Sequence, residues 1–303
     1  MLNSAFIKEK AKQFGASLCG IGDIRLFEGT DPQRDPRLIC PHATCVIGFA
    51  FAVPKGLYYG MEHANQYLNY TYLGVKYMDE ELAEMFLLRM AGYIENEGYD
   101  ACVQRNVSNL KIKGDKTQNP ELIDTYELSH AEAVAPGKPV PDIIMDFTQA
   151  AQICGLGCRS MKGNVLTKKY GPFVRLAFIV TDAPLEVDAP FTEQLCDGCG
   201  LCAKACPGHA IDENGLDTWQ CSVYYRGAHK SNPYMTDATL AGNPEREAIL
   251  NGEKRFDAQS ARAIYKDLDF LPSRSTGYAL CTAGTSCNRN DRRRNGAVCT
   301  LYF

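Results

Sequence analysis

The residues best placed to do chemistry in this sequence are cysteines. The 303-residue chain holds 14, and eight of them (Cys196, Cys199, Cys202, Cys206, Cys221, Cys281, Cys287 and Cys299) follow residue 195. The run Cys196-Asp-Gly-Cys199-Gly-Leu-Cys202-Ala-Lys-Ala-Cys206-Pro207 has the spacing C-x2-C-x2-C-x3-C-P. Three thiolates at this interval wrap one corner of a [4Fe–4S] cubane, and the fourth, carried off by the proline turn, ligates another cluster. A zinc site would use four ligands in two pairs. If Cys206 crosses over, the first cluster lacks one ligand and the second lacks three. Cys221, Cys281, Cys287 and Cys299 are the four cysteines left downstream, so the count predicts two [4Fe–4S] clusters. The spacing leaves open which of Cys281, Cys287 and Cys299 serves which cluster.

Other residues invite chemistry less specifically. Gly155 and Gly157 flank a GLG turn and most economically supply a backbone turn with positive φ. Cys154 and Cys158 flank the same turn and read as buried thiols or as a third redox site. His42, between Cys40 and Cys45, reads as loop chemistry before an apolar strand, with a metal as the alternative. Tyr67, Tyr70, Tyr72 and Tyr77 recur at near-helical spacing and read as core packing. His209 and His229 are expected near the clusters, where a hydrogen bond to sulfur tunes potential. Arg292, Arg293 and Arg294 form either a solvated loop or a positive collar for an acidic electron donor.

The elements that position these residues follow from periodicity. Ser4–Phe14 predicts an amphipathic helix with Phe6, Ile7, Ala11 and Phe14 on one stripe. Ser17–Ile21, Thr44–Val53, Asp100–Gln104 and Phe173–Thr181 read as strands, the second apolar on both faces and therefore central. Met78–Glu97 predicts a helix burying Leu82, Met85, Phe86, Met90 and Ile94. Phe147–Cys154 reads as a helical turn, and 106–141 as a long polar loop. The proline-rich Asp182–Pro190 is the expected boundary between a domain at 1–188 and a cysteine domain at 189–303. The fold class is therefore α/β (α+β). A net charge of -4 and a pI of about 5.8 argue against a nucleic-acid module, and tRNA is not expected as a partner. No apolar run reaches the roughly 20 residues of a membrane helix. The N-terminal MLNSAFIKEKAKQFG lacks a signal core, which predicts a cytoplasmic protein with reduced thiols.

Several segments together resemble a known family. Gly155-Leu-Gly-Cys-Arg-Ser-Met-Lys-Gly-Asn164, Lys169-Tyr-Gly-Pro-Phe-Val-Arg175 and Val180-Thr-Asp-Ala-Pro-Leu185 precede the cysteine run. Leu216-Asp-Thr-Trp-Gln-Cys221 and Cys281-Thr-Ala-Gly-Thr-Ser-Cys287 follow it. This order resembles epoxyqueuosine reductases and corrinoid reductive dehalogenases, in particular short anaerobic members with two clusters. The resemblance implies a nitroreductase-like N-terminal sheet domain, followed by a bacterial ferredoxin-like domain that feeds electrons to a base-off cobamide. It also implies that Gly155, Gly157, Arg159, Lys162, Asn164 and Arg175 meet the cofactor, and that Asp146 supplies a proton; Tyr170, or one of the four clustered tyrosines, is the phenolic alternative, which no spacing rule selects. Asp146 stands about one turn too close to Gly155 for the family pattern, and Tyr278 occupies a position where the family usually has cysteine. The expected partners are a low-potential donor, ferredoxin or flavodoxin, and a small-molecule or nucleoside substrate. A flavin-filled domain, or an electron carrier without its own corrinoid, are the alternatives.

Overall fold

A computed structural model describes residues 2–62, 66, 69–106, 133–139, 142–206, 208–225, 228, 240–257 and 260. Cys281, Cys287, Cys299, His229, Tyr67, Arg292, Arg293 and Arg294 lie outside these residues, as does most of the expected 106–141 loop.

Chain order begins with helix α1 (Ser4–Gln13) and strands β1 (Leu18–Asp23) and β2 (Cys45–Ala52), then α2 (Lys55–Glu62). A wide, π-type helical segment (Tyr70–Leu82) runs directly into α3 (Ala83–Glu95), which leads to β3 (Ala101–Gln104). Helix α4 (Phe147–Ile153) precedes a small hairpin of β4 (Cys158–Arg159) and β5 (Val165–Leu166), then the long strand β6 (Val174–Thr181). The cysteine region adds α5 (Leu201–Ala205), the hairpin of β7 (Ile211–Asp212) and β8 (Gly215–Leu216), α6 (Thr218–Tyr225) and α7 (Arg246–Asn251).

The main sheet has the order β1-β2-β6-β3, and every pairing in it is antiparallel. Its centre is β2 on β6, whose apolar residues are buried on both faces. Alternate residues point to opposite faces of a strand. Ile47, Phe49 and Phe51 of β2 and Ala177 and Ile179 of β6 therefore pack on α1, α3 and the wide helix. Val46 and Ala50, with Leu176, Phe178 and Val180, pack on α4 and the turn after it. The result is a sheet between two helical layers. A third apolar cluster, from Val223 and Tyr224 to Phe256, lies among the C-terminal residues.

The helix expected over Met78–Glu97 differs in its first half. Phe86, Met90 and Ile94 are buried as expected, but Leu82 and Met85 are 43% and 52% exposed. Leu82 ends the wide segment, whose angular step differs from an α-helix, so its stripe does not continue into α3; Met85 lies within α3, one residue off the Phe86–Met90–Ile94 stripe. The tyrosines also separate, with Tyr70 buried and Tyr72 and Tyr77 exposed.

The proline-rich segment after β6 is tied to the sheet. Asp188 donates its N–H to the Ile21 carbonyl at 2.7 Å, accepts from the Ile21 N–H at 2.9 Å, and pairs with Lys8 at 2.6 Å. Farther on, Phe191 donates to the Gln152 carbonyl at 2.8 Å. Among the described residues no helix is long and apolar enough to cross a membrane.

Candidate functional site

Between Cys196 and Cys202 the chain turns on two glycines, Gly198 and Gly200, with φ of 71° and 69°. Gly200 caps α5, which carries Cys202 in its first turn and ends at Cys206. Backbone N–H groups already point at two of the sulfurs. Met161 donates to Cys196 Sγ at 3.4 Å and Ala210 to Cys206 Sγ at 3.3 Å. Such N–H···S contacts stabilise thiolate charge and raise the potential of a bound cluster. Cys221 is buried on α6, which is capped by Asp217 Oδ1 accepting from Trp219 and Gln220 at 3.1 and 3.0 Å. Cys196, Cys199, Cys202, Cys206 and Cys221 are free of disulfides. This donor set, thiols on a turning backbone with N–H groups aimed at sulfur, fits an iron–sulfur cluster. His209 follows Cys206 in a left-handed conformation, φ 49°, with its side chain exposed.

The segment joining β4 to β5 connects this motif to a cavity. Ser160 donates its N–H to the Asn164 carbonyl at 2.8 Å, and its hydroxyl meets Asn164 Oδ1 in a second, short contact. Asn164 is buried and, through this contact, closes the loop. Lys162 is also buried. Residues Arg159 to Asn164 and Glu213 to Leu216 enclose a cavity of about 360 Å³. One wall therefore comes from the sheet domain and the other from the β7–β8 hairpin of the cysteine region. Sequence reasoning missed this pairing because 160 and 214 are remote in the chain and neither stretch carries a metal-binding pattern.

Three expected site residues are placed otherwise. Arg175 lies on β6 with the parity of Ala177 and Ile179, so it faces the α1–α3 layer, across the sheet from Arg159 and Lys162. Its Nε donates to Asp79 Oδ1 at 2.9 Å, its Nη2 meets Asp79 Oδ2, and Asn106 Nδ2 joins Asp79 at 3.2 Å. Strand alternation in Phe173–Thr181 carries the signal for this placement.

Asp146 is the N-cap of α4. Its Oδ1 accepts from Thr148 and Gln149 N–H at 2.8 and 3.1 Å, and its Oδ2 pairs with Arg159 at 2.9 Å and Arg34 at 3.7 Å. These contacts give Asp146 a capping role at the start of α4. Tyr170 sits in a turn closed by Thr167 and Gly171, its ring under Lys169 Nζ at 5.1 Å, and stands outside the cavity wall.

The two glycines of the GLG turn are accounted for by the chain's own packing. A Cβ on Gly157 would lie 2.2 Å from the Leu166 carbonyl oxygen, and one on Gly155 would lie 2.8 Å from that of Ala189. Gly155 also has φ of 73°. Of the flanking thiols, Cys154 is fully buried, bonded to the Val46 carbonyl at 3.3 Å, and pushed far up by burial. Cys158 is buried too and accepts from the Leu195 N–H at 3.3 Å.

The 4Fe-4S binding domain model matches residues 189–212. The epoxyqueuosine reductase of Listeria monocytogenes is 29% identical over 104 residues, covering 34% of this chain and 27% of that protein. That of Cyclobacterium marinum is 23% identical over 246 residues, covering 73% and 68%. The tetrachloroethene reductive dehalogenase of Sulfurospirillum multivorans is 40% identical over 62 residues, covering 20% and 12%. This chain thus spans about a quarter of the first of these relatives. A solved epoxyqueuosine reductase in complex with an epoxyqueuosine-modified tRNA-Tyr stem loop overlaps 85% of this chain and 67% of that one, at 17% identity and a TM-score of 0.44.

The likeness to epoxyqueuosine reductases stands against two expectations, that tRNA is not a partner and that the substrate is a small molecule. Net charge is a whole-chain sum, whereas phosphate is held by local groups, and an acidic chain can present them. The chain carries a 4Fe-4S binding domain and resembles the epoxyqueuosine reductases and, over a shorter stretch, the reductive dehalogenases.

Proposed function

We propose that the chain is an iron–sulfur, corrinoid-dependent reductase of the epoxyqueuosine reductase type, acting on a modified nucleoside presented by tRNA. In this reading residues 1–188 form a nitroreductase-like domain and residues 189–303 a ferredoxin-like domain with two clusters. Cys281, Cys287 and Cys299 complete the ligand set with the five described cysteines. One observation carries the reading. Met161 both donates to Cys196 Sγ and lines the cavity, so a single residue separates a cluster ligand from a ligand-sized space.

That space falls at the low end of small-molecule pockets, roughly 300–1,000 Å³. It suits a nucleoside base or the amide-bearing rim of a corrinoid. Arg159, Lys162 and Asn214 bring N–H donors to it, and Glu213 and the loop carbonyls bring acceptors, the donor set that an amide-fringed cofactor needs. A corrinoid, when bound, supplies a strongly reducing cobalt centre. Arg159 and Lys162 also place positive charge where a phosphate or ribose edge would approach. Gly155, Gly157 and Arg175 support the site through the turn and the sheet.

The test uses anaerobically reconstituted protein with cobalamin and an epoxyqueuosine-modified tRNA stem loop under a low-potential reductant. Corrin bands beside cluster bands, with loss of the epoxide oxygen by mass spectrometry, are expected. Cluster bands without corrin uptake, with electron exchange to a partner, would replace this reading with an electron carrier. Flavin bands would replace the corrinoid.

A further inference from the structure

A second group of metal-binding side chains lies away from the cysteine motif, at the end of the main sheet. Cys40 and His42 sit in the loop entering β2, within Cys40-Pro-His-Ala-Thr-Cys45. Asp100 precedes β3, and Cys102 is its second residue. Strands β2 and β3 flank β6, with Cys45 and Ala101 both opposite Thr181, so the two loops emerge at the same end. Cys102 packs with Cys40 and Val46 on the α4 side of the sheet.

The donor atoms converge. Those of Cys40, His42 and Asp100 lie within 4.8 Å of one another, and His42 Nε2 is 2.8 Å from Asp100 Oδ2. Cys102 packs against the same apolar cluster as Cys40 and stands just outside this group of three. Cys40 is buried, whereas the His42 and Asp100 side chains are 65% and 64% exposed. Cys40 therefore sits inside the fold, and the His42 and Asp100 side chains stand at the surface.

We propose that Cys40, His42 and Asp100 hold a zinc ion, with Cys102 turning in as the fourth, tetrahedral ligand, so that the metal clips the loop before β2 to the start of β3. Two thiolates, an imidazole and a carboxylate are ligand types that zinc takes, at about 2.3 Å for sulfur and about 2.0–2.2 Å for nitrogen and oxygen. A single histidine and a carboxylate do not suit an all-thiolate cubane, which separates this site from the cluster motif. Both thiols release their protons when the metal enters. The site is independent of the reductase reading, and no residue of the cavity takes part in it.

The test measures zinc and iron separately in cluster-loaded protein after dialysis with zinc. One zinc per chain should remain beside the iron. X-ray absorption at the zinc edge should show two sulfur and two nitrogen or oxygen neighbours. His42→Ala, at an exposed position where folding is not at stake, should lose the zinc to a mild chelator with iron unchanged, and Cys102→Ser should do the same. Cys202→Ser should lose iron and keep zinc. The proposal is overturned if wild type retains no zinc, or if His42→Ala retains it. A zinc shell of four sulfurs would move the metal to the cluster cysteines and also overturn it. So would a Cys40–Cys102 disulfide in anaerobically prepared protein, seen as a mass loss of two hydrogens.

Discussion

Gly157→Ala separates a glycine needed for packing from a glycine needed for a cofactor. The added Cβ would stand 2.2 Å from the Leu166 carbonyl oxygen and 2.9 Å from its carbon. Both atoms are backbone, and Leu166 is paired to Cys158 in the β4–β5 hairpin, so no side-chain rotation relieves the contact. Overpacking costs about 1–3 kcal/mol, and an obstacle made of backbone belongs at the upper end. At about 1.36 kcal/mol per decade, 3 kcal/mol raises the unfolded-to-folded ratio roughly 150-fold. With about 2–4 °C lost per kcal/mol, the thermal midpoint should fall by roughly 6–12 °C. The control is Gly92→Ala inside α3, where a new Cβ meets nothing within 4 Å. That change should stabilise by about 0.5–1 kcal/mol. Calorimetry on anaerobic, cluster-loaded protein reads both. If Gly157→Ala melts with wild type yet no longer takes up cobalamin, the carbonyl contact is not what requires glycine, and the approach of a cofactor is.

Asp79→Ala should destabilise the fold by about 3–5 kcal/mol in urea, because it strands the buried Arg175 guanidinium; the double variant Asp79→Leu, Arg175→Met should recover most of that, with iron content unchanged. Burial is the main cause that raises the Cys19 thiol to about 12, from 9.0, so its contribution to stability is complete below pH 9 and fades as pH rises towards 12. Urea midpoints of wild type should therefore drop more steeply over that window than those of Cys19→Ala, by at most about 1.4 kcal/mol per pH unit; parallel curves would refute the burial argument. Reconstituted wild type should hold about eight irons, two cubanes' worth. Cys206→Ser should lower that count and abolish magnetic coupling between reduced clusters in electron paramagnetic resonance; an unchanged coupled spectrum would deny the crossover.

How much was legible in the sequence depended on how local the cause was. The cysteine run could be read because its ligands lie within eleven residues and their spacing is itself the signal. Strands β2 and β6 could be read because both faces of each are apolar, as a central strand requires. The resemblance puts Arg175 at the cofactor, whereas the alternation of its own strand turns it to the α1–α3 face, where Asp79 holds it. Asp146 was read as an acid because an aspartate ahead of a helix can be either a proton donor or a cap. Only its partners at Thr148, Gln149 and Arg159 decide between the two. The cavity joins loops about fifty residues apart, and nothing in either loop names the other. Gly20 and Gly22 did carry an unread signal: two glycines spaced by two on a strand clear one face of it.

That cleared face has a consequence for how the site is held. Gly20 and Gly48 are opposite one another across β1 and β2, and Gly22 is the next residue on that side. A Cβ on Gly20 would lie 1.9 Å from the Cys154 carbonyl oxygen, on Gly22 2.6 Å from Ile153, and on Gly48 2.9 Å from Leu156. The end of α4 and the GLG turn therefore rest on bare main chain. A seat of this kind has no rotamers through which to relax, and it yields only if a strand moves. The hairpin that follows inherits the stiffness of the sheet, so Leu156 and Cys158 amides should exchange with solvent as slowly as those of β2. Adaptation to a different ligand would then proceed through side chains around the cavity, because the turn beneath them has no room to drift.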